Sequence, residues 1–239
     1  MAETTGIIGD IHLDLAGLEA AIAGPLAECG RFVVTGDFLD RGPGDPHEVL
    51  ERVLALPDVV VLAGNHELAY LGGPSYRGMA EPRCAPLAPL LRDLVIDGRL
   101  RAAASVHGVL CVHGGVSRAF WQRHLEADCG GDPVAAVAKM NRLLVRAVGT
   151  RDFTHPLFGA LEARIRGPFW AGIGDDLLLA TGTPPFDQVV GHVPMSAGWH
   201  SPANDAGGGR VLSVCREHRL EGSGAAVGCV SLGPDGAGQ

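Results

Sequence analysis

Five short segments of the 239-residue chain gather carboxylates, imidazoles and one amide next to glycines. They are GDIH with Asp10 and His12, GDFLDRG with Asp37, Asp40 and Arg41, GNHE with Asn65 and His66, HGG with His113, and GH with His192. Mixed oxygen and nitrogen ligands suit Mn, Fe, Zn or Ni better than calcium or a thiolate-bound zinc. The segments therefore predict a transition-metal site, in which residues two apart, such as Asp10 and His12, can face one ion.

Each of these segments follows a short apolar run, namely TGII, RFVV, DVVVLA, VLCV and QVV. Runs of this length closed by glycine are typical of buried strands. Residues 15–30 and 46–57 separate the first three runs and have apolar residues at helical spacing. Alternating strands and helices favour an α/β fold with parallel strands, and functional groups in such sheets collect beyond the carboxyl ends of the strands.

The remainder of the chain differs from this alternation. Residues 116–170 are predicted to be a mainly helical insertion, including a helix in LFGALEARI, that shapes substrate access. From residue 203 the pattern predicts a turn in NDAGGGR and two closing antiparallel strands in VLSVC and AAVGCVSL, before a frayed tail at 233–239. We expect one domain over residues 1–239.

Composition limits the possible partners. The net charge is -8 and the pI is about 5.6, so no overall basic field is available for nucleic acid or an anionic membrane, and an anionic substrate must be held locally. The N-terminus has no basic segment followed by an apolar core, and no run approaches a membrane span, so a cytoplasmic protein is expected. Six cysteines without CxxC spacing indicate free thiols rather than disulfides.

The order GDxH, GDxxDRG, GNHE, HGG and GH, over residues 9–192, resembles the phosphoprotein-phosphatase-type branch of the calcineurin-like metallophosphoesterases. The resemblance implies a sandwich of two mixed β-sheets flanked by helices. It also implies two divalent transition-metal ions, with manganese expected first and iron, zinc or nickel as alternatives.

The resemblance also implies the metal ligands. The first ion would be held by Asp10, His12 and Asp37, and the second by Asp37, Asn65, His113 and His192. A hydroxide bridging the two ions would be the nucleophile.

The same resemblance assigns the remaining roles. His66 would be the general acid, Asp40 would orient it, and Arg41 would clamp the phosphate. Asn65 would also contact substrate, and Arg166 is a candidate second phosphate ligand, although it precedes the PFW element rather than following it.

Several assignments have alternatives. His113 is preferred over His107, which also precedes glycine, and His192 is preferred as a ligand over a buried core histidine. Glu67 is taken as a helix-start carboxylate. Four further residues are expected to be solvated, with substrate contact as the alternative: Tyr70, Tyr76, Arg77 and Arg83.

The predicted activity is hydrolysis of a phosphomonoester, with a small phosphorylated metabolite, such as a nucleotide or sugar phosphate, favoured as substrate. Serine or threonine phosphoproteins and symmetrical dinucleoside tetraphosphates are alternatives. A silent, metal-bearing binding module is a different class. The presence of His66, Asp40 and Arg41 argues against it, because binding alone needs no oriented proton donor.

Overall fold

A computed structural model describes residues 4–160, 163–180, 183–184, 186–194, 198–201, 209–215 and 227–233. Its strands are β1 (Thr5–Ile8), β2 (Arg31–Val34), β3 (Val59–Leu62), β4 (Leu100–Arg101), β5 (Ala103–Val106), β6 (Val109–Val112), β7 (Gln188–Val190), β8 (Gly198–His200), β9 (Val211–Ser213) and β10 (Cys229–Leu232). Its α-helices are α1 (Leu15–Ala23), α2 (Pro46–Leu54), α3 (Asn65–Leu71), α4 (Ala88–Ile96), α5 (Arg118–His124), α6 (Glu126–Cys129) and α7 (Pro133–Thr150). Single 3-10 turns lie at Ala85–Leu87 and Pro156–Phe158, and a π-helix at Ile173–Ala180.

The described strands form two mixed sheets. The first has the order β10-β1-β2-β3-β4, with β1 to β4 parallel and β10 antiparallel to β1. The second has the order β5-β6-β7-β9-β8, with β6, β7 and β9 parallel and the two edge strands antiparallel. The predicted fold class is thereby confirmed. VLSVC is only partly antiparallel, because β9 lies between parallel β7 and antiparallel β8.

The two sheets pack face to face, and alternation along each strand separates two apolar layers. Ile7, Val33 and Leu62 face the second sheet, where they meet residues such as Val189 and Leu212. Their chain neighbours on the opposite face belong to the larger core, which includes apolar residues of the helices. Strands buried on both faces explain the continuous apolar runs in the sequence.

The first two helices are shorter than the sequence pattern suggests. Helix α1 ends at Ala23 rather than near residue 30, because Gly24 and Pro25 follow it. Helix α2 begins where the Asp45 carboxylate accepts hydrogen bonds from the amides of His47 and Glu48, and Pro46 occupies its first turn.

The insertion is helical only in its first part. Helices α5, α6 and α7 occupy residues 118–150, and Asn141 of α7 binds the backbone of Ala102 and Ala103 next to β5. The helix predicted for LFGALEARI is wrong for the residues described there. The 3-10 turn ends at Phe158, before Gly159, and 163–165 are bends.

Other sequence predictions have varied outcomes. None of the six cysteines, all of which are described, forms a disulfide, as expected. Most of NDAGGGR, and all of the tail beyond Gly233, lie outside the described residues. Within the described part of the chain, no helix is both long and apolar enough to cross a bilayer.

Candidate metal centre and active site

Five strand ends from both sheets converge on one side of the sandwich. Asp10 follows β1, Asp37 follows β2 and Asn65 follows β3, whereas His113 follows β6 and His192 follows β7. Parallel strands bring their carboxyl ends to the same edge, so side chains far apart in sequence become neighbours. The backbone is strained here: six of the ten described non-glycine residues with positive φ are His12, Leu13, Asp37, Asp40, Arg41 and His192.

Asp37 lies at the centre of the site. Its Oδ2 is 3.4 Å from His113 Nε2 and 3.9 Å from the Nε2 atoms of His12 and His66. Its other oxygen accepts the backbone amide of His66 at 3.0 Å. One carboxylate oxygen therefore faces several imidazoles, while the second is fixed by the first turn of α3.

Two overlapping groups of ligand atoms share Asp37. One consists of His12, Asp37 and His66, and the other of Asp37, His113 and His192. Within each group the candidate ligand atoms lie within 4.8 Å of one another. The first group contains His66 where the sequence predicts Asp10 as a ligand. A shared carboxylate between two nitrogen-rich groups is nevertheless the arrangement expected of a two-ion site.

Backbone carbonyls fix the orientation of two candidate ligand imidazoles. His12 Nδ1 donates to Leu39 O at 3.1 Å, and His113 Nδ1 donates to Thr35 O at 2.9 Å. In both rings the Nε2 atom is thus left to point its lone pair towards Asp37. Metal-binding histidines are commonly fixed in this way through their second nitrogen.

The Asn65 amide supplies a test of whether the cluster suits a cation. Its oxygen position lies 2.9 Å from His113 Nε2, 3.1 Å from Asp37 Oδ2 and 3.2 Å from His192 Nδ1, all of which can act as acceptors. Turning the amide over would let its NH₂ group donate to these atoms. The amide can therefore present its oxygen towards the space between these atoms, and a set of amide, carboxylate and imidazole donors fits a divalent ion.

Electrostatics support the same conclusion. Burial opposes protonation of His113, but the charge and hydrogen bond of Asp37, together with the charges of Asp10 and Glu67, outweigh burial and raise the pKa of His113 to about 9. Burial and the neighbouring His113 lower the pKa of His192 to about 4. Burial would raise the pKa of Asp37, yet the surrounding imidazoles hold it well below its usual range. The buried carboxylate therefore attracts positive charge, which bound cations would supply.

Asp10 lies beside these two groups. Its Oδ1 accepts the His192 amide at 3.0 Å, and its Oδ2 accepts the thiol of buried Cys215 at 3.1 Å. Cys215 follows β9, so this carboxylate links β1 to two strands of the second sheet. Burial and the Asp10 charge raise the pKa of the Cys215 thiol, which keeps it a hydrogen-bond donor.

His66 is anchored on one side and open on the other. Its Nδ1 donates to Asp40 Oδ2 at 2.7 Å, whereas its buried Nε2 has no hydrogen-bond partner among the described residues. Burial opposes the charged imidazole, but Asp37 and the bond to Asp40 together raise the pKa of His66. A fixed imidazole that holds a proton and directs Nε2 into the cluster can act as an acid.

Asp40 is itself held on every side. It accepts the backbone amides of Ala80 and Glu81, each at 3.1 Å, and the hydroxyl of Tyr70. Burial would raise the pKa of Asp40, but the hydrogen bonds from His66 and Tyr70 lower it to about 2. The carboxylate therefore stays ionised beside His66.

Glu67 fastens the GDFLDRG loop to helix α3. Its carboxylate accepts the amides of Asp37 and Gly64, both at 2.8 Å, and of Leu39 at 3.1 Å. The side chain is fully buried, and burial raises the pKa of Glu67 to about 7. A Cβ on Gly64 would lie 2.1 Å from Asp37 Oδ1, so this approach requires glycine.

The two candidate phosphate ligands are placed differently. Arg41 Nη1 lies 3.4 Å from His12 Nε2, and therefore beside the cluster. Arg166 Nη1 lies 3.1 Å from Asp176 Oδ2, and this carboxylate also accepts the amide of Gly172. Only Arg41 is therefore in contact with a member of the two ligand groups.

His107 lies away from these groups, at the turn between β5 and β6, where its Nε2 is 3.3 Å from the hydroxyl of Thr5 at the start of β1. His113, at the other end of β6, lies in the cluster. Because β6 separates the two histidines, they lie at opposite ends of this strand.

Sequence reasoning missed how three acidic and aromatic side chains build the site. Glu67 starts a helix as expected, but it also binds the loop that carries Asp37. Tyr70 is buried rather than solvated, and it lies four residues after His66, a spacing that places both on one face of a helix. Glu81 accepts the Arg41 amide at 2.7 Å, and no short motif signals this contact.

The residues taken as solvated differ among themselves. Arg77 is exposed, as expected. Tyr76 is half-buried and packs edge-on against Trp170, with ring centroids 5.1 Å apart. Arg83 donates to the carbonyls of Gly42 and Gly44, so it contacts the GDFLDRG loop.

Metal-dependent hydrolases are the class that needs both halves of this site, ligands that concentrate cations and a fixed imidazole that moves a proton. A sequence model of the family described as calcineurin-like phosphoesterase matches residues 4–221. The chain therefore belongs to the calcineurin-like phosphoesterase family and is a metal-dependent phosphatase.

Comparison with solved structures supports the fold. The cold-active protein-tyrosine phosphatase of the psychrophile Shewanella sp. aligns over 100% of this chain and 80% of its own, with 18% identity and a TM-score of 0.59. A metallophosphoesterase from Sphaerobacter thermophilus aligns over 99% of this chain and 85% of its own, with 17% identity and a TM-score of 0.52. No curated protein matches the chain.

Proposed function

We propose that the protein hydrolyses phosphomonoesters of small metabolites, such as nucleotides or sugar phosphates, at a two-metal centre of the phosphoprotein-phosphatase type. Asp10, His12 and Asp37 would hold one ion. Asp37, Asn65, His113 and His192 would hold the other. When bound, two divalent ions supply Lewis acidity towards phosphoryl oxygens and lower the pKa of water at the site.

The side chains around the cluster supply the remaining chemistry. Arg41 offers a planar fork beside His12 that can bind two phosphoryl oxygens. His66 holds a proton at Nε2 and delivers it to the oxygen of the leaving group, which would otherwise depart as a costly alkoxide. Asp40 keeps the imidazole oriented through Nδ1 and favours its protonated form.

One observation carries the proposal. His66 Nε2 is buried, has no hydrogen-bond partner among the described residues, and lies 3.9 Å from the carboxylate oxygen that both ligand groups share. A module that only bound metal would not require an imidazole fixed by an aspartate whose oxygens already accept several other hydrogen bonds. The pairing of His66 with Asp40 thus favours catalysis over binding alone.

A small phosphorylated metabolite is the substrate class that we propose to test first, and other phosphoesters must be compared with it. Phosphoserine or phosphothreonine proteins and dinucleoside tetraphosphates are therefore included as competitors. The phosphotyrosine peptide joins them because the Shewanella protein is named a protein-tyrosine phosphatase.

The test is a rate measurement on protein loaded with manganese, which we propose as the first metal to try before iron, zinc and nickel. The substrates are nucleoside monophosphates, sugar phosphates, three phosphopeptides and a dinucleoside tetraphosphate. We expect chelator-sensitive release of phosphate, fastest from the small monoesters. Asp37→Asn should reduce it by about 100-fold or more, with a loss of bound metal measured by elemental analysis.

Two outcomes would overturn parts of the proposal. If the protein bound two ions per chain and hydrolysed none of these substrates, the binding-module alternative would replace it. If a phosphopeptide or the tetraphosphate were the fastest substrate by about tenfold in kcat/KM, the small-metabolite assignment would fail, whereas the two-metal chemistry would stand.

A further inference from the structure

Residues 80–83 contact the Asp40 and Arg41 end of the GDFLDRG loop, whereas Glu67 binds its Asp37 and Leu39 end. We propose that Glu81 and Arg83 are positioning residues that hold Arg41 in the orientation required to bind phosphate. This inference rests on the proposed role of Arg41 as the phosphate clamp. Nothing in the five sequence motifs assigns either residue a function.

The two side chains form a continuous set of contacts with the loop. Glu81 Oε1 accepts the backbone amide of Arg41 at 2.7 Å, and Glu81 Oε2 accepts Arg83 Nε at 2.7 Å. Arg83 Nη1 donates to Gly44 O at 3.2 Å, and Nη2 donates to Gly42 O. Glu81 and Arg83 therefore bind the backbone on both sides of the Arg41 side chain.

The backbone of this turn needs such support. Asp40 has a φ of 65° and Arg41 a φ of 69°, in the left-handed region that residues with a Cβ avoid. A Cβ on Gly42 would lie 1.8 Å from His12 O, so the turn also passes very close to the GDIH loop. A strained conformation persists only where surrounding contacts determine it.

Packing against neighbouring side chains cannot hold Arg41 in place, because this residue is exposed. The Asp40 end of the turn is fixed by buried hydrogen bonds, including one from the backbone amide of Glu81. The Arg41 end is fixed instead by the Glu81 carboxylate. Loss of this carboxylate should free the Arg41 backbone while leaving the Asp40 anchor intact, since that anchor uses only the main chain of residue 81.

The protein contains a matched ion pair elsewhere. Glu19 and Arg52 join at 2.5 Å between α1 and α2, with side chains 49% and 30% exposed, against 30% and 40% for Glu81 and Arg83. Exposed pairs of this kind contribute little to stability. An effect of Glu81 on phosphate binding that Glu19 lacks would therefore come from its position against Arg41.

The experiment is a double-mutant cycle on the manganese-loaded enzyme, with inorganic phosphate as the competitive inhibitor. We expect Arg41→Ala to raise the inhibition constant of phosphate by roughly 30-fold and Glu81→Ala by roughly tenfold. The double variant should match Arg41→Ala within about twofold, because Glu81 acts through Arg41. Arg83→Ala should resemble Glu81→Ala.

Two further variants serve as controls. Glu81→Gln retains an oxygen that can accept the Arg41 amide, so it should keep the inhibition constant within about threefold of wild type. Glu19→Ala should leave it unchanged. All variants should keep wild-type metal content and melt within about 2 °C of wild type, because the residues changed are exposed or half-exposed.

The possible failures are distinguishable. If Arg41→Ala leaves the inhibition constant unchanged, the proposed role of Arg41 is wrong. If Arg41→Ala raises it but Glu81→Ala has no effect, or if the two effects multiply in the double variant, then Arg41 binds phosphate without help from Glu81 and this inference alone is overturned.

Discussion

Two regions of the molecule each carry an arginine that the sequence suggests for phosphate binding. Arg41 lies in the loop 36–42, which Glu67 binds at one end and Glu81 at the other, and it contacts His12. Arg166 lies in the irregular segment that precedes the π-helix, and its partner is Asp176 within that helix.

The partner, rather than the residue type, decides whether an arginine is available to bind phosphate. Arg41 is held through its backbone, which leaves the guanidinium beside the imidazole cluster. Arg166 is held through its guanidinium, which Asp176 neutralises. A carboxylate that accepts a backbone amide positions a cationic side chain, whereas one that accepts the side chain itself occupies it.

The largest effect on activity should come from His66, whose imidazole is held by Asp40 of the loop 36–42. His66→Ala should lower kcat for alkyl phosphates by about 10²-fold or more, with a smaller loss for 4-nitrophenyl phosphate, whose leaving group needs no proton. Metal content, measured by elemental analysis, should stay at the wild-type value.

The control for His66 is His107→Ala, which alters an exposed histidine in the turn between β5 and β6 and should leave the rate unchanged. An equal loss for both kinds of leaving group would remove the acid role from His66.

The second largest effect should come from Glu67, whose carboxylate binds the amides of Asp37 and Leu39 in the loop 36–42. Glu67→Gln places an NH₂ group against buried amides, and it should lower the free energy of unfolding by about 2–4 kcal/mol. A shift of the loop should also lower kcat by roughly 30-fold. Denaturant unfolding and initial rates check the two values.

Glu48→Gln is the matched control for Glu67, since Glu48 is an exposed acid in the first turn of α2. It should change stability by less than about 0.5 kcal/mol. If Glu67→Gln behaved in the same way, Glu67 would be a helix-start carboxylate only, as the sequence first suggests.

The third effect should be smaller, because Tyr70 contacts Asp40, which in turn contacts His66. Tyr70→Phe removes the hydroxyl that donates to Asp40, but the amides of Ala80 and Glu81 remain. We expect about a fivefold loss of kcat for alkyl phosphates, equivalent to about 1 kcal/mol, and almost none for 4-nitrophenyl phosphate. A loss that was independent of the leaving group would contradict a role through Asp40 and His66.

The smallest effect should come from the other region. Arg166→Ala should change KM by less than about threefold, because the guanidinium already serves Asp176. A tenfold rise in KM, measured with the same monoester, would make Arg166 a phosphate contact and would erase the contrast with Arg41.

The fold could be predicted where local pattern and global topology agree. Apolar runs closed by glycine gave β1, β2, β3, β6 and β7 in the right places, because strands buried on both faces carry continuous apolar residues. The sequence pattern does not reveal the edge strands β4, β5 and β8. Of these, β4 and β8 have only two and three residues, which provide no periodic signal. The helix predicted in LFGALEARI failed because Pro156 and Gly159 bound a single 3-10 turn.

The candidate site could be predicted as a set of residues but not as an arrangement. Motifs identified Asp37, Asn65 and His113, and strand topology explains why they meet. The contacts of Glu81 with Arg41 depend on how residues 73–84 return to the loop, which no spacing in the sequence specifies. The ion pair between Arg166 and Asp176 likewise depends on the irregular course of the chain between Arg166 and the π-helix that carries Asp176.

One hydrogen bond has a consequence for synthesis of the protein. The His192 amide reaches Asp10 across a separation of 182 residues, and the ligands on either side of it come from different sheets. This contact cannot form until residue 192 has been synthesised, and closing a loop of this length costs more chain entropy than forming a local contact. A chain still emerging from the ribosome thus holds its aspartates without their partners, and phosphatase activity begins only when the second sheet has closed on the first.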